Sequence, residues 1–228
     1  MSAQREQPAD PLLAGFFSIG EAARLVRVSP ALIRGWLNGY TNSRSGPVLN
    51  RDFAGTRTVS FLDLMELRFI ATFRAQRVPM TILRRAAEKA RHDWNVRHPL
   101  ALSSQVYITD RRSVFAFIAE EEEDATTWDM ATGQHEMWAT IEQTIEKGVQ
   151  FDPKTYLARL WHPRPELPKI IIDPHVAFGR PSIEGTKVPT AALFRQWKAE
   201  GNKERVAEWF DVSPEIVAMA VEYELKAA

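Results

Sequence analysis

Arginine is the residue type with the clearest chemistry to offer in this sequence. Residues 1–98 hold 15 Lys and Arg against 8 Asp and Glu, a net of +7, and 14 of those 15 cations are Arg. Guanidinium groups grip phosphate in a bidentate fork, and each cation set near a nucleic-acid backbone releases a condensed counterion. A block of this kind suits nucleic acid; a solvated basic surface without a partner is the plain alternative. Residues 99–168 invert the balance at 6 against 12, and residues 169–228 hold 8 against 9, so the formal net charge is zero. Other chemistries find little support. The five histidines (His92, His98, His135, His162 and His175) stand at no metal-ligand spacing with carboxylates, and Asp129 and His135 suggest nothing alone. No cysteine is present, and no GxSxG, P-loop or GxGxxG motif occurs. We therefore expect no catalytic residue, no metal ligand and no cofactor, and expect that the chain is not an enzyme. The seven Trp read mainly as core.

The elements that would position these arginines centre on Phe17 to Leu37. Ile19, Ala22, Ala23, Leu25 and Val26 repeat at helical spacing. Val28-Ser29-Pro30 breaks the pattern, with Ser29 suited to cap a second helix and Pro30 to its first position. Ile33, Trp36 and Leu37 give that helix its own apolar face. Two short helices joined this way predict a helix-turn-helix, whose second helix commonly enters the major groove. A helical hairpin that binds nothing is the alternative. Residues 39–59 are rich in turn formers and Arg. Val48-Leu49 and Thr58-Val59 predict a small hairpin, a wing, carrying Arg44, Arg51 and Arg57. Ser60 with Asp63 predicts a capping box opening a third helix. A fourth is expected from about Met80 to Trp94, with Ile82, Leu83, Ala86, Ala87 and Ala90 inward.

The remainder divides at a Pro-rich stretch. Residues 1–15 are expected to be a disordered arm. Gln105–Ile108 and Val114–Ile118 predict a hairpin, Glu120 to Asp124 a solvated acidic loop, and Gln134 to Lys147 an amphipathic helix built on Trp138, Ile141 and Ile145. His162 to Pro168 is the best linker candidate. Beyond it, Ile170 to Ile172 predicts a short strand. Thr190 is expected to cap a helix over Ala191–Glu200 that ends at Gly201. Asn202 would cap the next helix, to Phe210. Ser213-Pro214 would open the last, with Ile216, Val217, Ala220, Val221 and Leu225 inward. There is an internal echo: EAARLVRVSPALI from Glu21 aligns with RVAEWFDVSPEIV from Arg205. The second copy offers Glu215, Glu222 and Glu224 on its final helix, which favours protein contact over groove binding.

Phe17-Ser18-Ile19-Gly20-Glu21-Ala22-Ala23, Val28-Ser29-Pro30, Ile33-Arg34 and Trp36 resemble the DNA-binding domain of the MerR family, with Gly55-Thr56-Arg57 in the place of its wing. The resemblance covers about residues 16–92 and implies that Ser29 and Arg34 lie near phosphate while Arg57 reaches the backbone from the wing. The candidate DNA contacts are Arg24, Arg27, Ser29, Arg34, Arg44, Arg51 and Arg57. Gly35 stands where the family commonly has Tyr, and Thr56 and Val59 stand at aromatic positions of its wing. The long dimerising helix and metal-sensing cysteines of that family are absent, which excludes its metal-sensor role.

Residues 169–228 are similar to the domain of unknown function 433, through Ile172-Asp173-Pro174, Phe178-Gly179-Arg180-Pro181, Ile183, Gly185-Thr186 and Val188-Pro189. That family is regarded as VapB-like antitoxins, encoded beside PIN-like metal-dependent ribonucleases. The resemblance implies a PIN-like toxin partner, with Arg180, Lys187, Arg195 and Lys198 as candidate contacts. The expected protein is mostly α with small β elements, an α+β fold. Its parts are an arm (1–15), a MerR-like winged helix-turn-helix (16–98), an α+β middle and linker (99–168) and an antitoxin-like helical domain (169–228). The expected function is a DNA-binding antitoxin that neutralises its toxin and represses its own operon, acting on double-stranded DNA as a homodimer. The alternatives are a small-molecule-sensing regulator and a helix-turn-helix adaptor for protein contacts. With no apolar stretch near bilayer length, a soluble, cytoplasmic, bacterial protein is expected.

Overall fold

The computed structural model describes residues 14–40, 46–103, 143–144 and 146–227. The predicted hairpin at 105–118, the acidic run at 120–124, Arg44, His135 and most of the 134–147 helix lie outside the described residues, as does the arm up to residue 13. No helix among the described residues is long and apolar enough to cross a membrane.

The chain enters through β1 (Phe17–Ser18) and then α1 (Ile19–Val26) and α2 (Pro30–Asn38). Ser18 and Glu21 form a capping box on α1, and Ser29 Oγ accepts from the Leu32 amide at 3.3 Å to open α2 at Pro30. β2 (Thr58–Val59) pairs antiparallel with β1, Phe17 opposite Val59. This corrects the predicted wing hairpin. Val48 and Leu49 form no strand; they are buried in the core, and the Val48 amide donates to the Trp36 carbonyl at 2.9 Å. α3 (Phe61–Ala75) opens on the expected Ser60/Asp63 capping box, and α4 (Met80–Trp94) buries the five expected apolar residues. Ala14, assigned to the disordered arm, is tied down by its carbonyl, which accepts from the Phe61 amide at 2.8 Å.

A hairpin that the sequence reading missed follows: β3 (Val149–Phe151) against β4 (Ala158–Trp161), with a register shift at Gln150/Phe151. Its turn is organised by Asp152 Oδ1, which accepts from the Lys154 and Thr155 amides at 2.9 and 2.8 Å. The Pro-rich stretch is not an open linker. Trp161 and Ile172 exchange both backbone hydrogen bonds, at 2.9 and 2.7 Å, so the segment between them is a loop closed at its base.

β5 (Ile170–Ile171) pairs with β6 (Ser182–Ile183), and α5 (Thr190–Glu200), α6 (Lys203–Phe210) and α7 (Pro214–Ala227) complete the chain. Gly201 in the left-handed region ends α5 and Asn202 caps α6, as expected. Thr190 does not cap α5. Its hydroxyl pairs with the Pro181 carbonyl and Glu224 Oε1, and Pro189 holds the cap position without a capping side chain. Leu225, expected inward, is 58% exposed. Buried apolar residues form two clusters. One joins α1 to α4 with Leu157, Ala158, Trp161 and Ile172; the other holds Leu167, Ile170, Ile183 and the faces of α5, α6 and α7. Burial of this kind is what holds short helices and two-residue strands in place. The architecture is a mixed α+β fold.

Candidate nucleic-acid interface

α1 and α2 pack as a helix-turn-helix. Arg27 closes α1 in the left-handed conformation, with φ 59°, and α2 leaves the turn on the Ser29 cap. Ile33, Trp36 and Leu37 are buried on the inner face of α2, while Arg34 on the same helix is exposed. Arg24, Arg27 and Arg57 are exposed as well. Among the described residues none of these four arginines has a side-chain hydrogen bond or ion pair. Gly35 is buried beneath the Tyr40 ring: a Cβ there would sit 2.2 Å from Tyr40 Cζ. An aromatic ring therefore does lie against α2, supplied from the loop beyond the helix.

Arg51 departs from its expected role. It is 5% exposed, and its guanidinium donates to Asn38 Oδ1 at 2.9 Å and to the carbonyls of Thr56 and Thr58 at 3.0 and 2.7 Å. It braces the loop from inside and leaves Arg57 as the exposed arginine among the loop's described residues. Arg97 adds a second brace, donating to the Arg51 carbonyl at 2.6 Å.

The same loop is anchored by a buried polar cluster that sequence spacing did not reveal. His98 is 1% exposed; its Nε2 lies 3.1 Å from Asp52 Oδ1 and its Nδ1 3.3 Å from Glu66 Oε2. Asp63 Oδ1 stands 3.9 Å from Nδ1, and Glu66 Oε1 accepts the Leu100 amide at 3.2 Å. Burial disfavours a charged imidazole, but the hydrogen bonds to Asp52 and Glu66 and their charges outweigh it and raise the His98 pKa to about 10. Burial also raises Asp63, to about 6, against the opposing charge of His98. It works against the Asp52 carboxylate too, yet His98 holds that group below its ordinary value. Asp52, Asp63 and His98 are close enough together to be metal ligands by distance. Each ring nitrogen of His98 faces a carboxylate, and those contacts favour the protonated ring as the cluster's own cation. The sequence signal was available in α3, where Asp63 and Glu66 fall three residues apart on an otherwise apolar buried face.

Of the candidate partner contacts in the tail, Arg180, Lys187, Arg195 and Lys198 are all exposed. Arg195 and Lys198 lie on α5, three residues apart and so neighbours on its surface. Arg180 stands elsewhere, at a cleft that also takes in Arg24 and Arg27 from the head. The structure thus brings two candidate DNA contacts beside one candidate toxin contact.

Helix, tight turn and helix recur at both ends of the chain, within a mixed α+β fold. Residues 170–223 match the model of a family described as protein of unknown function (DUF433). Over most of its length the chain is also similar to proteins of Mycobacterium tuberculosis. It is 22% identical over 219 residues to the protein named "Putative antitoxin VapB45", covering 87% of this chain and 89% of that one. It is 24% identical over 225 residues to the uncharacterized protein Rv2308, covering 90% and 88%. The crystal structure of Rv2018 from the same organism shares its fold, with a TM-score of 0.65 at 21% identity over 90% of this chain and 96% of that one.

Proposed function

We propose that this protein is a DNA-binding regulator of the antitoxin type, with no catalytic activity of its own. Residues 16–98 bind the promoter of its own operon, and residues 169–228 hold and inhibit a PIN-like ribonuclease. The observation that carries the DNA reading is the exposed set Arg24, Arg27, Arg34 and Arg57 around a helix-turn-helix, without a side-chain hydrogen bond or ion pair among the described residues. Cations on the first helix, in the turn, on the recognition helix and on an adjoining loop are what backbone phosphates require. A homodimer reading a two-fold site is the natural assembly. The antitoxin reading draws on the tail's family match and on the name of one relative.

Two measurements test it. The chain is co-expressed with the product of the neighbouring small gene, and growth is scored when that neighbour is expressed alone. A stable complex with a neighbour toxic by itself supports the antitoxin reading; neither complex nor toxicity removes it. Binding of the chain to its upstream DNA is then followed against salt. A log–log slope of several units is expected for the arginine set, at about 0.9 per phosphate contact; a flat dependence would leave the protein-contact adaptor.

A further inference from the structure

We propose that the cleft between α1 and the tail is a binding site for a small organic phosphate of nucleotide size. This rests on the cleft alone and holds whether or not the tail binds a nuclease. The cleft has a volume of about 630 Å³, within the range of small-molecule sites. One wall comes from the head, through Phe17, Arg24 and Arg27; the other comes from the tail, through Arg180, Thr190 and Tyr223.

The charge around it is unbalanced in a specific way. Five cations line the cleft (Arg24, Arg27, Arg164, Arg180 and Lys226) against two acids (Glu21 and Glu224). Both acids are already engaged. Glu21 Oε2 accepts the Ser18 amide at 2.7 Å, and Glu224 Oε1 accepts the Thr190 hydroxyl at 2.5 Å. Lys226 is engaged as well, with Glu222 at 2.5 Å, and Arg164 lies 5.7 Å over the Tyr223 ring and donates to the Lys226 carbonyl at 3.3 Å. Arg24, Arg27 and Arg180 are left, and among the described residues none of the three has a side-chain hydrogen bond or ion pair. Three free guanidinium forks at one cleft match the oxygens of a phosphate group better than a single carboxylate. The cleft also takes in the N-terminal end of α5, which has no capping side chain, and a helix N-terminus favours an anion. Phe16, 37% exposed, and Leu25 add aromatic and apolar surface for a flat body attached to that phosphate.

The test is isothermal titration calorimetry on the full chain, with no DNA and no partner present, so its outcome is separate from that of the proposed function. The probes are adenosine 5′-monophosphate, adenosine, inorganic phosphate and benzoate. The monophosphate is expected to saturate one site per chain, with adenosine and inorganic phosphate each about tenfold or more weaker. Arg24→Ala and Arg180→Ala are each expected to weaken it by about tenfold, the loss of one charge-assisted hydrogen bond. Among the described residues, neither removes a side-chain hydrogen bond or ion pair. Arg180→Lys, which keeps the charge and loses the fork, is expected to fall between. Arg195→Ala, on α5 outside the cleft lining, is expected to change nothing. Absence of saturable monophosphate binding, an equal loss in Arg195→Ala, or binding of benzoate in its place would each overturn the assignment.

Discussion

Arg27 and Asp211 hold the same corner of the same turn with opposite charge. Both are left-handed, at φ 59° and 52°. In each turn the following valine amide donates back to an alanine carbonyl: Val28 to Ala23 and Val212 to Ala207, both at 3.0 Å. Ser29 then precedes Pro30 as Ser213 precedes Pro214. The echo in the sequence is therefore a repeat of geometry, and the exchange of arginine for aspartate is where the two turns differ in charge.

A left-handed corner costs an L-residue about 1 kcal/mol that glycine does not pay. Arg27→Gly and Asp211→Gly are each expected to raise the unfolding free energy in urea by that order without altering helix content. Of the two, Arg27→Gly alone is also expected to weaken DNA binding. Equal effects of the two on DNA would remove the functional distinction between the turns.

Arg57 and Arg51 separate display from support. Arg57→Ala is expected to leave stability unchanged and to reduce the salt slope of DNA binding by about one. Arg51→Ala leaves the Thr56 and Thr58 carbonyls and Asn38 without their donor, and should cost about 2 kcal/mol or more in urea unfolding. A stable Arg51→Ala protein with a reduced slope would reverse these roles.

His98 makes stability depend on pH in a definite direction. Its folded pKa of about 10 lies above the ordinary 6.5, so its contribution is complete below about pH 6.5 and is lost as the pH rises through about 10. His98→Gln should cost about 3 kcal/mol or more at pH 6, because it strands buried carboxylates. Urea melts of both proteins from pH 6 to 10 should show the gap between them narrowing. A constant gap would mean that His98 is not the cation of the cluster.

Trp209 is 56% exposed on α6, with Arg205 at 6.0 Å from its ring. Exposed tryptophan beside arginine is the composition of a binding hot spot. Trp209→Ala is expected to weaken a tail-bound partner by about 2 kcal/mol while barely moving the melting temperature. Unchanged partner affinity in a pull-down titration would place the contact elsewhere, with Lys187, Arg195 and Lys198 the next to substitute.

What the sequence by itself determined was local. Ser29-Pro30, Ser60 with Asp63, Gly201 and Asn202 mark helix ends through bonds that span three or four residues, so they are legible without any fold. The apolar spacing in α4 is legible for the same reason. Tertiary structure alone decided which of the arginines face solvent, that Thr58-Val59 pairs with Phe17-Ser18 rather than Val48-Leu49, and that Thr190 and Leu225 do not play their expected parts. It also carried His98 to Asp52 across 46 residues and to Glu66 across 32, and set Arg24 and Arg180 at one cleft. Those juxtapositions depend on which faces are buried together and on closing long loops, and no short window of sequence holds that information.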